Sequence, residues 1–546
     1  MRNTLLATGF VFIATVGCEG GPGMAKEPPV LAITSPTRSM VQGQAGRITV
    51  IGTATPAAKG APVTKVMVNN VEATVAADGS FSAAIDVAQG ATLIETVATG
   101  ADGASTTDTR AVQAGELRPV GTSIDRAITA ALSADTFAHL SAAAGPLVKS
   151  VNMPALLAPL QPMASLGDSL ANLKLTVTDL KMSDIKISLT PVQGGLSFSA
   201  EIDGLDVPAR VDYAGTLVFD GSTTVDLVAD QLTISGTLDV TPAGMTGFTT
   251  KLVNPMVHSI GLRLVATDLI GAIFDLLNGV LGSTIQTVVC KGAELAMGPL
   301  VNQALGALGG PQQLDLFGKK LDLQVAPSAV AFTPTGVEVS LDLMAMLEGS
   351  EASPGFIYTD NGSPTMDVAQ GFQLGLADDL VNELLAELHA LGVLNLSMPQ
   401  SAGVFDTAQI QLTMPPMISA GQGNGQMQLV LGDMFATFVS RGTPVAKAAI
   451  NARVALKIAF AGNGGSVALQ LGAPEIKVDM LDDVANTTGL AGEDLASATA
   501  AVLGSQIDSV TKLLVAIPVP SLAGLSLSNL SIGADSGYVM VSGELK

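Results

Sequence analysis

Side chains able to do chemistry near neutral pH are scarce in this chain of 546 residues. It has three histidines, His139, His258 and His389, each in a stretch whose pattern predicts helix. None has a metal ligand or nucleophile at useful spacing, so surface or packing roles are expected. No Gly-x-Ser-x-Gly nucleophile elbow and no His-Glu-x-x-His metal helix occurs. The run from Asp360 to Asp367 offers oxygens to Ca²⁺ but lacks the fixed spacing of a calcium loop, and it reads as a solvated turn. Cys290 lies beside Ile285, Val288 and Val289, a setting for a buried, inert thiol rather than a nucleophile. These residues predict no enzyme, no bound metal and no cofactor. What remains is the chemistry of apolar surface.

Apolar surface is abundant. Hydrophobic residues make up 48% of the chain and charged residues 14%, with a mean hydropathy of +0.47. After the N-terminus no stretch reads as a membrane span. The most apolar one, Leu262 to Leu281, is interrupted by Arg263, Asp268 and Asp275, and its apolar residues fall on one helical face. The excess must fill cores or line a cavity. A net charge of −22 repels nucleic acid and anionic membrane surfaces and keeps an apolar protein in solution. At the N-terminus, Arg2, the apolar run Leu5 to Ala14 and the sequence Thr15-Val16-Gly17-Cys18 form a secretion signal. It resembles a bacterial lipoprotein lipobox, which makes Cys18 the acylated first residue. Thr15 departs from the usual aliphatic residue, and the alternative is an ordinary signal peptide cut nearby.

Composition shifts divide the chain into a signal peptide (1–17), a Gly- and Pro-rich tether (18–29), an all-β segment (30–115), a first long domain (116–347), a connector (348–370) and a second long domain (371–546). In the all-β segment Val66 and Val68, then Phe81, Ala83, Ile85 and Val87 after an Asp78-Gly79 turn, keep a period of two. It resembles bacterial immunoglobulin-like modules. In the first long domain Ile124, Ile128, Leu132 and Leu140 fall near one helical face. Leu173, Leu175 and Val177 alternate, the phase slips near Asp179, and alternation resumes through Ile185, Ile187 and Leu189 and then Leu196, Phe198, Ala200 and Ile202. Such a slip fits a β-bulge that curls a sheet. A long helical region is expected from Asn254 to Leu308, followed by a strand pair.

The second long domain opens with LGLADDLVNELLAELHALGVL. Leu380, Val381, Leu384, Leu385, Leu388 and Leu391 share one side of a helix, Asp379, Glu383 and Glu387 are expected outside, and Gly392 stops it. Strands, a helical stretch from Gly492 to Val515 and a closing strand pair follow. The order helix, meander, helix, closing pair therefore occurs twice.

That order, with Ala377-Asp378, Asn382 and Gly392-Val393-Leu394 at the second opening and Cys290 on the long helix, resembles the family of bactericidal/permeability-increasing protein, lipopolysaccharide-binding protein and cholesteryl ester transfer protein, the tubular lipid-binding (TULIP) superfamily. The strand cysteine that pairs with the helical one in that family has no counterpart here. Basic residues in the early strands (Lys174, Lys181, Lys186 and Arg210) are few and scattered. The resemblance implies an α+β fold with two tandem, highly curved antiparallel sheets, each wrapped on a long helix, after an immunoglobulin-like sandwich. It implies elongated apolar pockets for acyl-chain lipid. The lining expected from the helices is Ile124, Ile128, Leu132, Leu264, Ile273, Leu277, Leu384, Leu388 and Leu391, residues that would equally serve as plain core filled by one another. Moving about 16 methylenes from water into such a lumen gains roughly 13 kcal/mol, nearly what a bilayer offers, so exchange with a membrane is close to neutral. The expectation is a lipid-binding, lipid-transferring lipoprotein of the bacterial cell envelope, on the outer-membrane side. Its partners would be lipid and the anchoring membrane, not nucleic acid. The other reading is a ligand-free structural or adhesive surface lipoprotein.

Overall fold

The computed structural model describes residues 27–150, 152–167, 172–214, 220–266, 285–298, 310–316, 318–359, 362–369, 371–399, 405–419, 427–461, 466–488, 517–518 and 527–545, with a few isolated positions besides. Strands dominate. Among the described residues no helix is long and apolar enough to cross a membrane. The chain divides into two compact units, one of Met1–Thr37, Arg47–Asp86 and Ile94–Thr109, the other of Arg38–Gly46, Val87–Leu93 and Arg110–Lys546.

In the first unit, Gly46–Thr55 lies between Val30–Ser35 and Ser80–Val87 in one antiparallel sheet, and Val63–Val68 pairs with Gly90–Gly100 in another. Val66 and Val68 are buried, as are Phe81, Ala83 and Ile85, so the period of two sends these side chains inward. The Asp78-Gly79 turn has the expected chemistry. Gly79 takes φ +85°, and the Ser80 N–H and hydroxyl donate to Asp78 Oδ1 at 3.0 and 2.7 Å.

In the second unit the opening strand β1 (Ile124–Ser133) runs directly into α1 (Ala134–Ser150). The expected helix over Ile124, Ile128 and Leu132 is therefore a strand. Every residue from Ala127 to Ser133 is buried, because β1 sits in the middle of a sheet with both faces covered. A strand covered on both faces loses its alternation, and an Ala-rich run then reads as helix. The meander follows as β2 (Asn172–Val177), β3 (Asp184–Val192), β4 (Gly195–Ala214), β5 (Gly221–Pro242), β6 (Phe248–Ile260) and β7 (Arg263–Val265). Residues 285–298 are helical, and β8 (Lys319–Thr333) and β9 (Gly336–Leu347) close the half. The expected start of the long helix, with His258 and Leu264, is instead strand: Thr233 pairs with His258 and Leu227 with Leu264. Pairing with a long neighbour overrode an ambiguous local pattern.

The second half repeats the order: β10 (Phe372–Ala377), α2 (Asp378–Ala390), the long hairpin β11 (Met427–Ser440) and β12 (Thr443–Ala461), and the closing pair β13 (Leu527–Asp535) and β14 (Tyr538–Leu545). The expected helix from Gly492 to Val515 lies outside the described residues, apart from Asp494 and Ser497, which are helical. One seven-stranded sheet joins the halves in the order Gly310–Leu316, β8, β9, β1, β10, β14, β13. Each opening strand has its own closing strand on one side and the other opening strand on the other, with Ile128 opposite Leu376 and Leu132 opposite Phe372. The arrangement is close to an exchange of halves about the β1–β10 pair.

A crease crosses the first meander. On β4 the inward residues are Leu196, Phe198, Ala200 and Ile202, then Leu205, Val207, Ala209 and Val211. On the paired β5 they are Val225, Leu227 and Ala229, then Leu232 and Ile234. Both strands thus change phase along one line. The strand interruption between β2 and β3, bridged by Lys181 and Asp206, and the gap between β6 and β7 lie on the same line. The slip near Asp179 is therefore a break in the strand rather than a simple bulge. Two glycines permit the crease. Gly204 (φ +59°) and Gly261 (φ +68°) take left-handed backbone where a Cβ would meet Ser183 Oγ and Asp230 Oδ2.

In the second unit Asp433 occupies a bulge between β11 and β12, fully buried at φ +43°. Its carboxylate lies 3.0 Å from the Arg38 guanidinium and accepts from the Ser39 and Ala111 N–H groups at 2.6 and 3.1 Å. A buried charge survives because it is paired and bonded on every side.

Candidate functional site

The crease borders a cleft in the first half. Four pieces of chain wall it. Val148 comes from the last turn of α1, whose inner face also carries Phe137, Leu140 and Ala144 at helical spacing, and Met153 follows it. Leu180 and Met182 come from the strand interruption. Ile185, Ile187, Phe198, Ala200, Ile202, Leu205 and Ile234 come from β3, β4 and β5 on both sides of the crease. The helical residues 285–298 supply Val289, Gly292, Ala293, Ala296 and Met297. With the open solvent at its mouth counted, the cleft spans about 460 Å³ of atom-free space, so it is a shallow apolar groove rather than a closed chamber. None of these side chains carries a nitrogen or oxygen. Leu180, Met182 and Ala293 are half-buried and the other lining residues are buried, so the mouth opens at the strand interruption beside the helix.

The helix is fixed against the sheet by polar contacts outside the cleft. Glu294 Oε1 accepts from the Leu252 N–H on β6 at 3.2 Å, and Lys291 Nζ reaches Glu294 Oε2 at 2.6 Å. Cys290 is half-buried on this helix. Burial first, and the Glu294 charge second, push its thiol above the ordinary value, which keeps it protonated and unreactive.

Of the nine residues expected to line a pocket, the seven that are described do not border this cleft. Ile124, Ile128 and Leu132 lie on β1 within the core of the first half, and Leu264 is buried on β7. Ile273 and Leu277 lie outside the described residues. Leu388 is buried on α2, and Leu384 and Leu391 pack beside the same core. The residues that do line the cleft had a signal in the sequence. The phase slip at Asp179 marks the crease, and Gly292, Ala293 and Ala296 are small residues on a helix that otherwise packs with Val288, Val289 and Met297.

α2 differs from expectation in its acidic residues. Asp379, Glu383 and Glu387, expected in solvent, are all buried. Each binds backbone from segments that flank the halves. Asp379 Oδ1 accepts from the Thr359 N–H and hydroxyl, both at 2.8 Å. Glu383 Oε1 accepts from Gly121 N–H at 2.7 Å. Glu387 Oε1 accepts from Leu347 N–H and Ser350 Oγ, both at 3.0 Å. Burial raises the Glu383 carboxyl to about 8 and also raises that of Glu387. Asn382 exchanges two bonds with the Ile418 backbone at 2.9 and 2.7 Å. The helix ends at Gly392 (φ +67°), as the sequence predicts.

Comparisons with known proteins bear on separate parts of the chain. Residues 29–115 match the family model described as glucodextranase, domain B, in agreement with an immunoglobulin-like module there. Among curated proteins no sequence matches. Among solved structures the chain is similar to lipopolysaccharide binding protein, at 14% identity over 78% of this chain and 99% of that one, with a TM-score of 0.37. It is also similar to P47 from Clostridium botulinum A2, at 10% identity over 76% and 96% with a TM-score of 0.30, and to P47 of Clostridium botulinum E1, at 10% identity over 77% and 98% with a TM-score of 0.26.

Proposed function

We propose that this protein binds the hydrocarbon tail of an acyl-chain lipid in the cleft of its first half and exchanges it with a membrane, as a TULIP-like carrier. The observation that carries the reading is the cleft itself: an open groove lined by side chains without hydrogen-bonding nitrogen or oxygen, with a mouth at a break in the sheet. Such a surface has little to offer a polar substrate and favours a tail by about 0.8 kcal/mol per buried methylene. No nucleophile, paired base or metal-ligand set serves this reading, which is binding without bond-making. We further propose that Cys18 is acylated and tethers the protein to the bacterial envelope, on the outer-membrane side. Replacing Cys18 by Ser should then release the protein from the membrane fraction.

The test is solvent extraction of the purified full chain, wild type and Ala293→Trp. Ala293 is half-buried at the mouth, so an indole there closes the opening without entering the core. Wild-type protein is expected to yield acyl lipid, and the variant severalfold less at an unchanged unfolding temperature. A wild type that carries no lipid and ignores phospholipid vesicles would instead make the protein a dry scaffold.

A further inference from the structure

Gly292 stands at the middle of the helical residues 285–298 and is buried. Its backbone is not in the left-handed region, so no turn requires a glycine. Glycine is among the poorest helix formers, and a buried helical position normally carries a side chain that packs. Yet a Cβ built there meets no described heavy atom within 4 Å, because the space beside it is the cleft. Ala293 and Ala296 continue the short side chains along the same wall. Met153 and Met182 line the same cleft, and their unbranched thioethers adapt to the shape of what lies against them.

We infer that Gly292 is the position that sets how much hydrocarbon the cleft admits, and that the admitted tail is free of polar substituents along its buried length. The inference rests on the lipid-binding reading above and makes it specific. A side chain at 292 projects into the void and shortens the usable path. A hydroxyl on the buried part of a tail would find no donor or acceptor side chain among the lining residues, and would weaken binding roughly ten- to hundredfold.

The test is displacement of cis-parinaric acid from the full-length protein by hexadecanoic acid, by a mid-chain hydroxylated hexadecanoic acid and by decanoic acid, for wild type, Gly292→Ala and Gly292→Leu. Wild type should prefer hexadecanoic acid over its hydroxylated analogue by about tenfold or more. Gly292→Leu should lose hexadecanoic acid by a similar factor while keeping decanoic acid, with Gly292→Ala in between. The unfolding midpoint of Gly292→Ala should not fall, because a Cβ there meets no described atom within 4 Å. Full retention of hexadecanoic acid by Gly292→Leu, equal competition by the hydroxylated acid, or failure of both variants to fold would overturn the inference while leaving lipid binding by the wild type intact. A wild type that takes up neither probe nor fatty acid would overturn the lipid-binding reading itself.

Discussion

α1 and α2 occupy equivalent places: each follows an opening strand, and the two opening strands pair with each other. Their contents are opposite. α1 presents Phe137, Leu140, Ala144 and Val148 inward, and its last turn borders a void. α2 is buried on nearly every side. Ala386 and Leu388 join the core of the first half, Leu385 joins that of the second, and its carboxylates hold Gly121, Leu347, Ser350 and Thr359. The lesson is that a repeated order of elements does not repeat a site. One helix is a wall with room beside it, and the other is a polar clasp that packs against the cores of both halves.

This contrast can be tested by substitution. The largest effect is expected at Leu388, 1% exposed in α2. Leu388→Ala should cost about 2–5 kcal/mol by urea unfolding, whereas Val148→Ala, already beside a void, should cost nearer 1. Equal losses would mean that α1 is packed as solidly as α2. A smaller effect is expected at the clasp. Thr359→Val leaves Asp378 and Asp379 without the hydroxyl that both accept, at about 1–3 kcal/mol.

The Glu383 carboxyl gives the contrast a pH dependence. Its folded value, about 8, lies above the ordinary 4.5, so the folded state holds the proton more tightly. That contribution is complete below about pH 4.5 and is lost as pH rises through about 8. The unfolding temperature should therefore fall between about pH 4.5 and 8, and Glu383→Gln should flatten that part of the curve. An unchanged slope would mean that Glu383 is ionised in the fold. The smallest effects belong to exposed pairs such as Arg210 with Asp212, at 2.7 Å. Arg210→Ala should change stability by less than about 1 kcal/mol.

Much of this was legible in the sequence where one face of an element meets water. The alternation of Leu173, Leu175 and Val177, the Asp78-Gly79 turn and the stop at Gly392 are local signals, and each has its expected structural counterpart. Elements that are buried all round were misread. β1 looked helical because both of its faces are covered. Asp379, Glu383 and Glu387 looked solvated because their partners are backbone N–H groups at Thr359, Gly121 and Leu347, which leave no mark in composition or spacing. The cleft fell between these cases. The slip at Asp179 announced a disturbance, but only the pairing of β4 with β5 shows it to be a crease that runs across the sheet.

The most direct measurement is the native mass of the full chain purified from its native cells, recorded before and after solvent extraction. A bound-state mass higher by that of one tail-bearing lipid, lost on extraction and absent from Ala293→Trp, is the predicted result. A single mass equal to that of the protein alone in all three samples would contradict a lipid-filled cleft.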